Sequence, residues 1–76
     1  MASQSNTMGS LTIILNGEEK QTHSGNISQL VSELNLQVDH IIVELNNIII
    51  PSQDIPTTTL KNNDKVEIIR YIGGGT

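Results

Sequence analysis

The sequence predicts a small α+β domain: a mixed sheet of four to five strands with one helix packed across one face. Three observations carry this. Twelve Ile, seven Leu and four Val give 23 branched aliphatics in 76 residues, with no Phe or Trp, an apolar content that disordered chains lack. These residues fall in short runs, and a branched Cβ suits a pleated, half-buried surface. Between Ile27 and Leu34 the apolar spacing changes to i, i+3, i+4, i+7, the stripe of a helix. At 76 residues the chain is about half of the usual ~150 per domain, so a single domain is expected. A chain of this size buries only roughly 60% of the surface its unfolded form exposes, which leaves one core and little room for a large enclosed pocket.

The elements follow in order. Residues Met1 to Gly9 are small and polar without period and read as a disordered tail. Within it, Met8-Gly9-Ser10 reads as an alternative start or a cloning scar, and no signal-peptide stretch is seen. Leu11 to Leu15 is a first strand, Asn16-Gly17 is a strong two-residue hairpin signal, and Glu18 to Thr22 is a polar return strand. Glu18 and Glu19 are solvated charges that protect a sheet edge from pairing with another chain. After the loop His23 to Asn26 comes the helix, with Asn26 as N-cap and Gln29 completing a capping-box-like pattern. Two turns do not hold alone in water, so the helix must pack on the sheet. Ile41 to Leu45 is a third strand, Asn46-Asn47 a turn, and Ile48 to Ile50 a short extended piece stopped by Pro51. Ser52 to Thr59 reads as a loop with room for one helical turn, and Asn62-Asn63-Asp64 as a turn. Lys65 to Ile72 is then the last and longest strand. The domain is expected over 10–72, followed by a flexible Gly-rich tail over 73–76.

Alternation in the last strand directs Val66 and Ile68 toward the helix and leaves Ile69 and Tyr71 on the uncovered face. Ile14 of the first strand is expected beside them, and with Ile72 these residues form a candidate partner surface. The competing reading is scattered surface apolars.

Composition excludes several functions. Zero cysteines rule out a disulfide framework, a Cys-based zinc site and a thiol nucleophile in this chain. No apolar run approaches the ~18 residues of a membrane span, and the cytosol is the expected compartment. A net charge of −4 argues against nucleic acid, whose phosphates demand clustered Lys and Arg. His23 and His40 lie in loops without a nucleophile nearby, and Asp39 with His40 leaves a metal shell incomplete. The distinctive feature is Gly73-Gly74-Gly75, half of the six glycines, within the last four residues. They lead into no helix and carry no Lys, so they do not form a phosphate loop. Glycine, lacking a Cβ, makes a thin and flexible lead into another protein's cleft. A frayed tail or linker remnant is the alternative.

Together these segments resemble ThiS-like sulfur carriers, small β-grasp (ubiquitin-like) proteins. The resemblance lies in Leu11 to Gly17, the helix Ile27 to Leu36, Ile41 to Asn46, Ile48 to Pro51, and the ending Asn63 to Gly75, about residues 10 to 75 in all. It implies a monomeric protein co-substrate that is no enzyme and binds no cofactor. A ThiF-like activating enzyme would use ATP to adenylate the C-terminal glycine, and sulfur would displace AMP to give a thiocarboxylate. A ThiG-like thiazole synthase would receive that sulfur for the thiazole ring of thiamine. By resemblance Gly74 and Gly75 are the functional pair, Gly75 is the acyl carrier and Gly73 belongs to the tail. The family pattern ends at the second glycine, whereas here Thr76 follows. Removal by a peptidase, a cloning remnant, or tolerance of the threonine are the three readings. Two other functions share the fold: a carrier for another pathway (the molybdopterin-synthase small-subunit type, or amino-acid or secondary-metabolite sulfur transfer), and a binding module that carries no sulfur. Glu44, Asp64 and Glu67 are candidates to steer the chain toward a basic groove on its partner.

Overall fold

Asn16 and Gly17 turn the chain back on itself at φ 51° and 83°, the positive pair that a tight two-residue hairpin requires. In the computed structural model, which describes residues 10–71, this turn joins β1 (Leu11–Leu15) to β2 (Glu18–Thr22) in an antiparallel ladder. A second hairpin repeats the device: Asn46 and Asn47, at φ 52° and 73°, join β3 (Ile41–Leu45) to β4 (Ile48–Ile50). The last strand, β5 (Lys65–Arg70), enters between the hairpins, parallel to β1 and antiparallel to β3. The sheet order is β2-β1-β5-β3-β4, so the mixed sheet of four to five strands expected from the sequence is observed, with five.

Helix α1 (Ile27–Glu33) crosses one face. Asn26 Oδ1 accepts from the Gln29 N–H at 2.8 Å, and Gln29 Oε1 accepts from the Gly25 N–H at 2.7 Å. The side chains thus satisfy two donors at the helix start, in the manner of a capping box. The helix buries Ile27, Leu30 and Val31 against Ile13, Val43 and Val66 of the three central strands, which are at most 1% exposed. It ends at Glu33, one residue short of the apolar stripe, and the chain turns at Asn35 with φ 59°.

Two 3-10 turns complete the domain. Val38–His40 leads into β3 within a stretch to which the sequence assigned no element. Ser52–Thr57 occupies the segment read as a loop with room for one helical turn and inserts Ile55, 2% exposed, into the core. The central ladder is closed by asparagines: Asn62 Oδ1 accepts from the Thr12 N–H and Asn46 Oδ1 from the Lys65 N–H, both at 2.9 Å. Strand β5 ends at Arg70, two residues earlier than expected, because β3 offers it register partners only from Leu45 back to Ile41. Ile72 and the expected tails, 1–9 and 73–76, lie outside the described residues.

Candidate functional site: the uncovered sheet face and the root of the C-terminal arm

Strand β5 alternates as the sequence requires. Val66 and Ile68 are buried under α1, while Ile69 is 50% exposed and Tyr71, one residue past the strand, 46%. Register decides their neighbours. Ile42 lies directly opposite Ile69, and Ile49 of the edge strand opposite Glu44. Ile42 and Ile49 are also exposed, at 41% and 61%. Ile42, Ile49, Ile69 and Tyr71 therefore share the open face near the point where the chain leaves the sheet. Ile14 does not adjoin them. It pairs with Lys65 at the opposite end of β5, because β1 runs parallel to β5 and turns away at Asn16 before Ile69 is reached. The expected proximity of Ile14 to Ile69 and Tyr71 is corrected accordingly; Ile42 and Ile49 take that place. The run Ile41-Ile42-Val43 hid this, since an unbroken apolar stretch does not reveal which side chain faces out.

The acidic candidates separate into two kinds. Asp64 is occupied in the fold, accepting from Asn46 Nδ2 at 3.1 Å and from the Lys61 N–H at 2.8 Å. Glu44 and Glu67 are half-buried and directly opposite each other on the open face, a like-charge arrangement that destabilises an antiparallel pair. Neither takes part in an ion pair among the described residues, where the contact recorded is Lys20 to Glu33 at 3.2 Å. Two carboxylates bordered by exposed isoleucines make a face suited to a protein surface that brings its own cation.

Tyr71 is held more firmly than its exposure suggests. Its N–H donates to the His40 carbonyl and its Oη to the Asp39 carbonyl, each at 3.0 Å. The ring helps to line an open groove of about 340 Å³ with Val38, Ile42, Ile49 and Pro51. On the other side of the sheet, Glu33 accepts from Thr22 Oγ1 at 2.5 Å and from Ser24 Oγ at 2.9 Å, beside the Lys20 ammonium. The Thr22 hydroxyl foremost, then Ser24 and Lys20, hold its carboxyl below the ordinary 4.5, against the opposing effect of burial. That cluster joins β2 to α1 and is structural.

His23 and His40 are exposed. Among the described residues no group of three or more His, Cys, Asp or Glu is placed to hold a metal ion, and no helix is long and apolar enough to cross a membrane. Ile72, Gly73, Gly74, Gly75 and Thr76 lie outside the described residues.

A mixed sheet in this order with one helix across it defines a β-grasp domain, here with an apolar patch on its open face. The chain belongs to the ThiS family, whose model matches residues 13–75. It is similar to the thiamine biosynthesis protein ThiS of Geobacter metallireducens, with TM-score 0.73 and 30% identity to the crystal structure, covering 86% of this chain and all of that one. The solution structure of a thiamine biosynthesis protein from the same organism gives TM-score 0.71 at 28% identity, over 87% of this chain and 90% of that one. Among curated proteins, a thiazole synthase of Paramagnetospirillum magneticum is 31% identical over 67 residues, 87% of this chain but 21% of that protein. This chain thus spans about a fifth of that relative's length. The protein ycf40 of Trieres chinensis is 31% identical over 65 residues, 84% of this chain and 89% of that protein.

Proposed function

We propose that this chain is a sulfur carrier that delivers sulfur as a C-terminal thiocarboxylate for the thiazole ring of thiamine. The observation that carries the reading is the ThiS-family match, which runs through residue 75 and so includes Gly73, Gly74 and Gly75. The similarity to a segment of a thiazole synthase supports placing it at thiazole formation. The chain supplies an acceptor carboxylate and a docking face; the nucleotide chemistry belongs to a ThiF-like activating enzyme. A Gly75 carboxylate oxygen attacks the α-phosphorus of ATP, pyrophosphate leaves, and an acyl adenylate forms. Hydrosulfide, sulfur at the sulfide level, then attacks the activated carbonyl carbon and AMP departs, leaving the thiocarboxylate for a ThiG-like synthase. Sulfur travels on a carbonyl carbon, so no cysteine is needed. The patch of Ile42, Ile49 and Ile69 is the surface that seats the activating enzyme while the glycines enter its cleft.

In a chain that continues to Thr76, Gly75 bears a free carboxylate only after the 75–76 peptide bond is cut, the role assigned to a peptidase. Incubating the 1–75 and 1–76 forms with ATP and the activating enzyme tests this. Pyrophosphate release is expected from 1–75 alone, and equal release from both forms rejects maturation. Intact mass spectrometry of the protein from its native cell is expected to show loss of the threonine and exchange of one oxygen for sulfur. Full biological activity after deletion of residues 74–76 would reject the carrier reading itself.

A further inference from the structure

Strand β5 ends on a charge at a position that alternation reserves for the core. Val66, Ile68 and Arg70 share the helix side of the sheet, alternating with Glu67 and Ile69. Arg70 stands directly opposite Ile41, which is 7% exposed. The helix does not cover this end: α1 stops at Glu33 and Asn35 turns the chain at φ 59°. An open groove of about 340 Å³ is left, lined by Asn35, Leu36, Gln37, His40, Ile41 and Arg70. A basic residue near a helix C-terminus often serves its free carbonyls, but here the backbone has taken them. The Leu36 N–H donates to the Val31 carbonyl and the Asn35 N–H to the Ser32 carbonyl, both at 3.0 Å. Nor does a carboxylate answer the guanidinium, which enters no ion pair among the described residues. Glu33 is engaged with Thr22, Ser24 and Lys20, and Asp39 lines the separate groove that holds Tyr71. Arg70 and His40 thus bring a guanidinium fork and an imidazole to one groove, flanked by the amides of Asn35 and Gln37, with no acid lining it.

We propose that this groove is an anion site whose occupant is an aspartate or glutamate carboxylate of the activating enzyme. Arg70 takes both carboxylate oxygens through the parallel donors of its fork, and His40 adds a donor from the start of β3. The identity of the partner rests on the carrier reading; the anion site itself does not. Charge complementarity selects a protein carboxylate. Glu44 and Glu67 stand with the isoleucines on the open face, while Arg70 and His40 stand at the groove on the helix side. A partner seated over the isoleucines meets acid on one side of β5 and base on the other, so one orientation alone satisfies both. A free anion gains nothing from that pairing of signs.

Two measurements test the proposal. The full chain, labelled with nitrogen-15, is titrated with inorganic phosphate at constant ionic strength, phosphate standing in for the anionic oxygens. Saturable shifts are expected at the Arg70 Nε–H and at the amides of residues 35–41, and are expected to vanish in Arg70→Gln. Half-saturation is expected at roughly 1–10 mM, the scale that two or three charge-assisted hydrogen bonds reach. Absence of saturation overturns the anion site, and half-saturation in the micromolar range marks a site for a free phosphate and overturns the carboxylate. In the second measurement the activating enzyme is titrated calorimetrically with the 1–75 form of the parent, of Arg70→Gln and of Lys61→Gln, a surface cation outside the groove. Kd is expected to rise about ten- to hundredfold in Arg70→Gln and to stay within about twofold in Lys61→Gln. Equal effects of the two substitutions overturn the partner carboxylate. If the parent itself does not bind the enzyme, the carrier reading fails and the assigned occupant with it, while the phosphate titration still decides whether the anion site exists.

Discussion

Asn16 sits at φ 51° with its Oδ1 accepting from the Ile68 N–H at 2.9 Å, so one residue closes a hairpin and ties it to the strand alongside. The same economy recurs: among the described residues, all five non-glycine residues at positive φ are asparagines, at 16, 35, 46, 47 and 63. Asparagine enters this region more easily than other side chains because its short amide bonds locally. Replacement at Asn16 separates the two contributions. Asn16→Ala is expected to cost about 2 kcal/mol, half from forcing an alanine to positive φ and half from the lost hydrogen bond. Asn16→Gly is expected to cost about 1 kcal/mol, because glycine accepts the dihedral and loses only the bond. Urea midpoints of the three proteins check both values. The turns at Asn16, Asn46 and Asn62-Asn63 were legible in the sequence because turn chemistry is local. Their bonds to β1 and β5 were not, since these depend on which strands become neighbours.

Helix α1 and strand β2 meet through Glu33, which gathers Thr22, Ser24 and Lys20. Thr22 and Ser24 are buried, at 2% and 8% exposure, and would be costly polar groups without that carboxylate. The folded-state pKa of Glu33 lies below its ordinary value of 4.5. Its stabilising contribution is therefore complete above 4.5 and is lost as pH falls through the lower folded value. Urea midpoints are expected to drop on acidification in the native protein. In Glu33→Gln the neutral-pH midpoint is expected to be lower already and the acid decline shallower. The Lys20 pair is partly exposed and adds at most about 1 kcal/mol to this. At this scale the sequence showed the capped helix, the first hairpin, the turn at Asn46-Asn47 between two extended pieces, and the exposed, charged edge strand β2. It did not show that Ile55 anchors the Ser52–Thr57 segment, because one apolar residue among polar ones sets no period. Nor did it show the parallel alignment of β1 with β5, on which the neighbours of Ile69 depend.

For the molecule as a whole, one aliphatic core does all the packing: Ile13, Ile27, Leu30, Val43 and Val66 are at most 1% exposed. A domain of this size has about 3–9 kcal/mol of stability to draw on. Ile13→Ala, at the centre of β1, is expected to remove about 2–5 kcal/mol of it. A large unfolded population at neutral pH is then expected, visible as collapsed NMR dispersion or a steep loss of thermal midpoint. The α+β class was readable because alternation, helix spacing and turn residues all agreed. The candidate site was readable in part: Ile69 and Tyr71 followed from alternation, whereas Ile42 and Ile49 join them only through strand order.

That strand order also shapes how the protein comes into being. The two hairpins are local and can form as soon as they are synthesised, but β5 is the last strand and occupies the middle of the sheet. Neither hairpin can be joined to the other until Lys65–Arg70 has arrived, and the β1–β5 pairing spans some fifty residues of chain, a long-range closure that slows folding. Synthesis therefore sets the order of events: the domain closes only after β5 has been delivered, and the glycines follow after Tyr71 and Ile72. A chain cut short before β5 is left with two hairpins and without the strand that joins them.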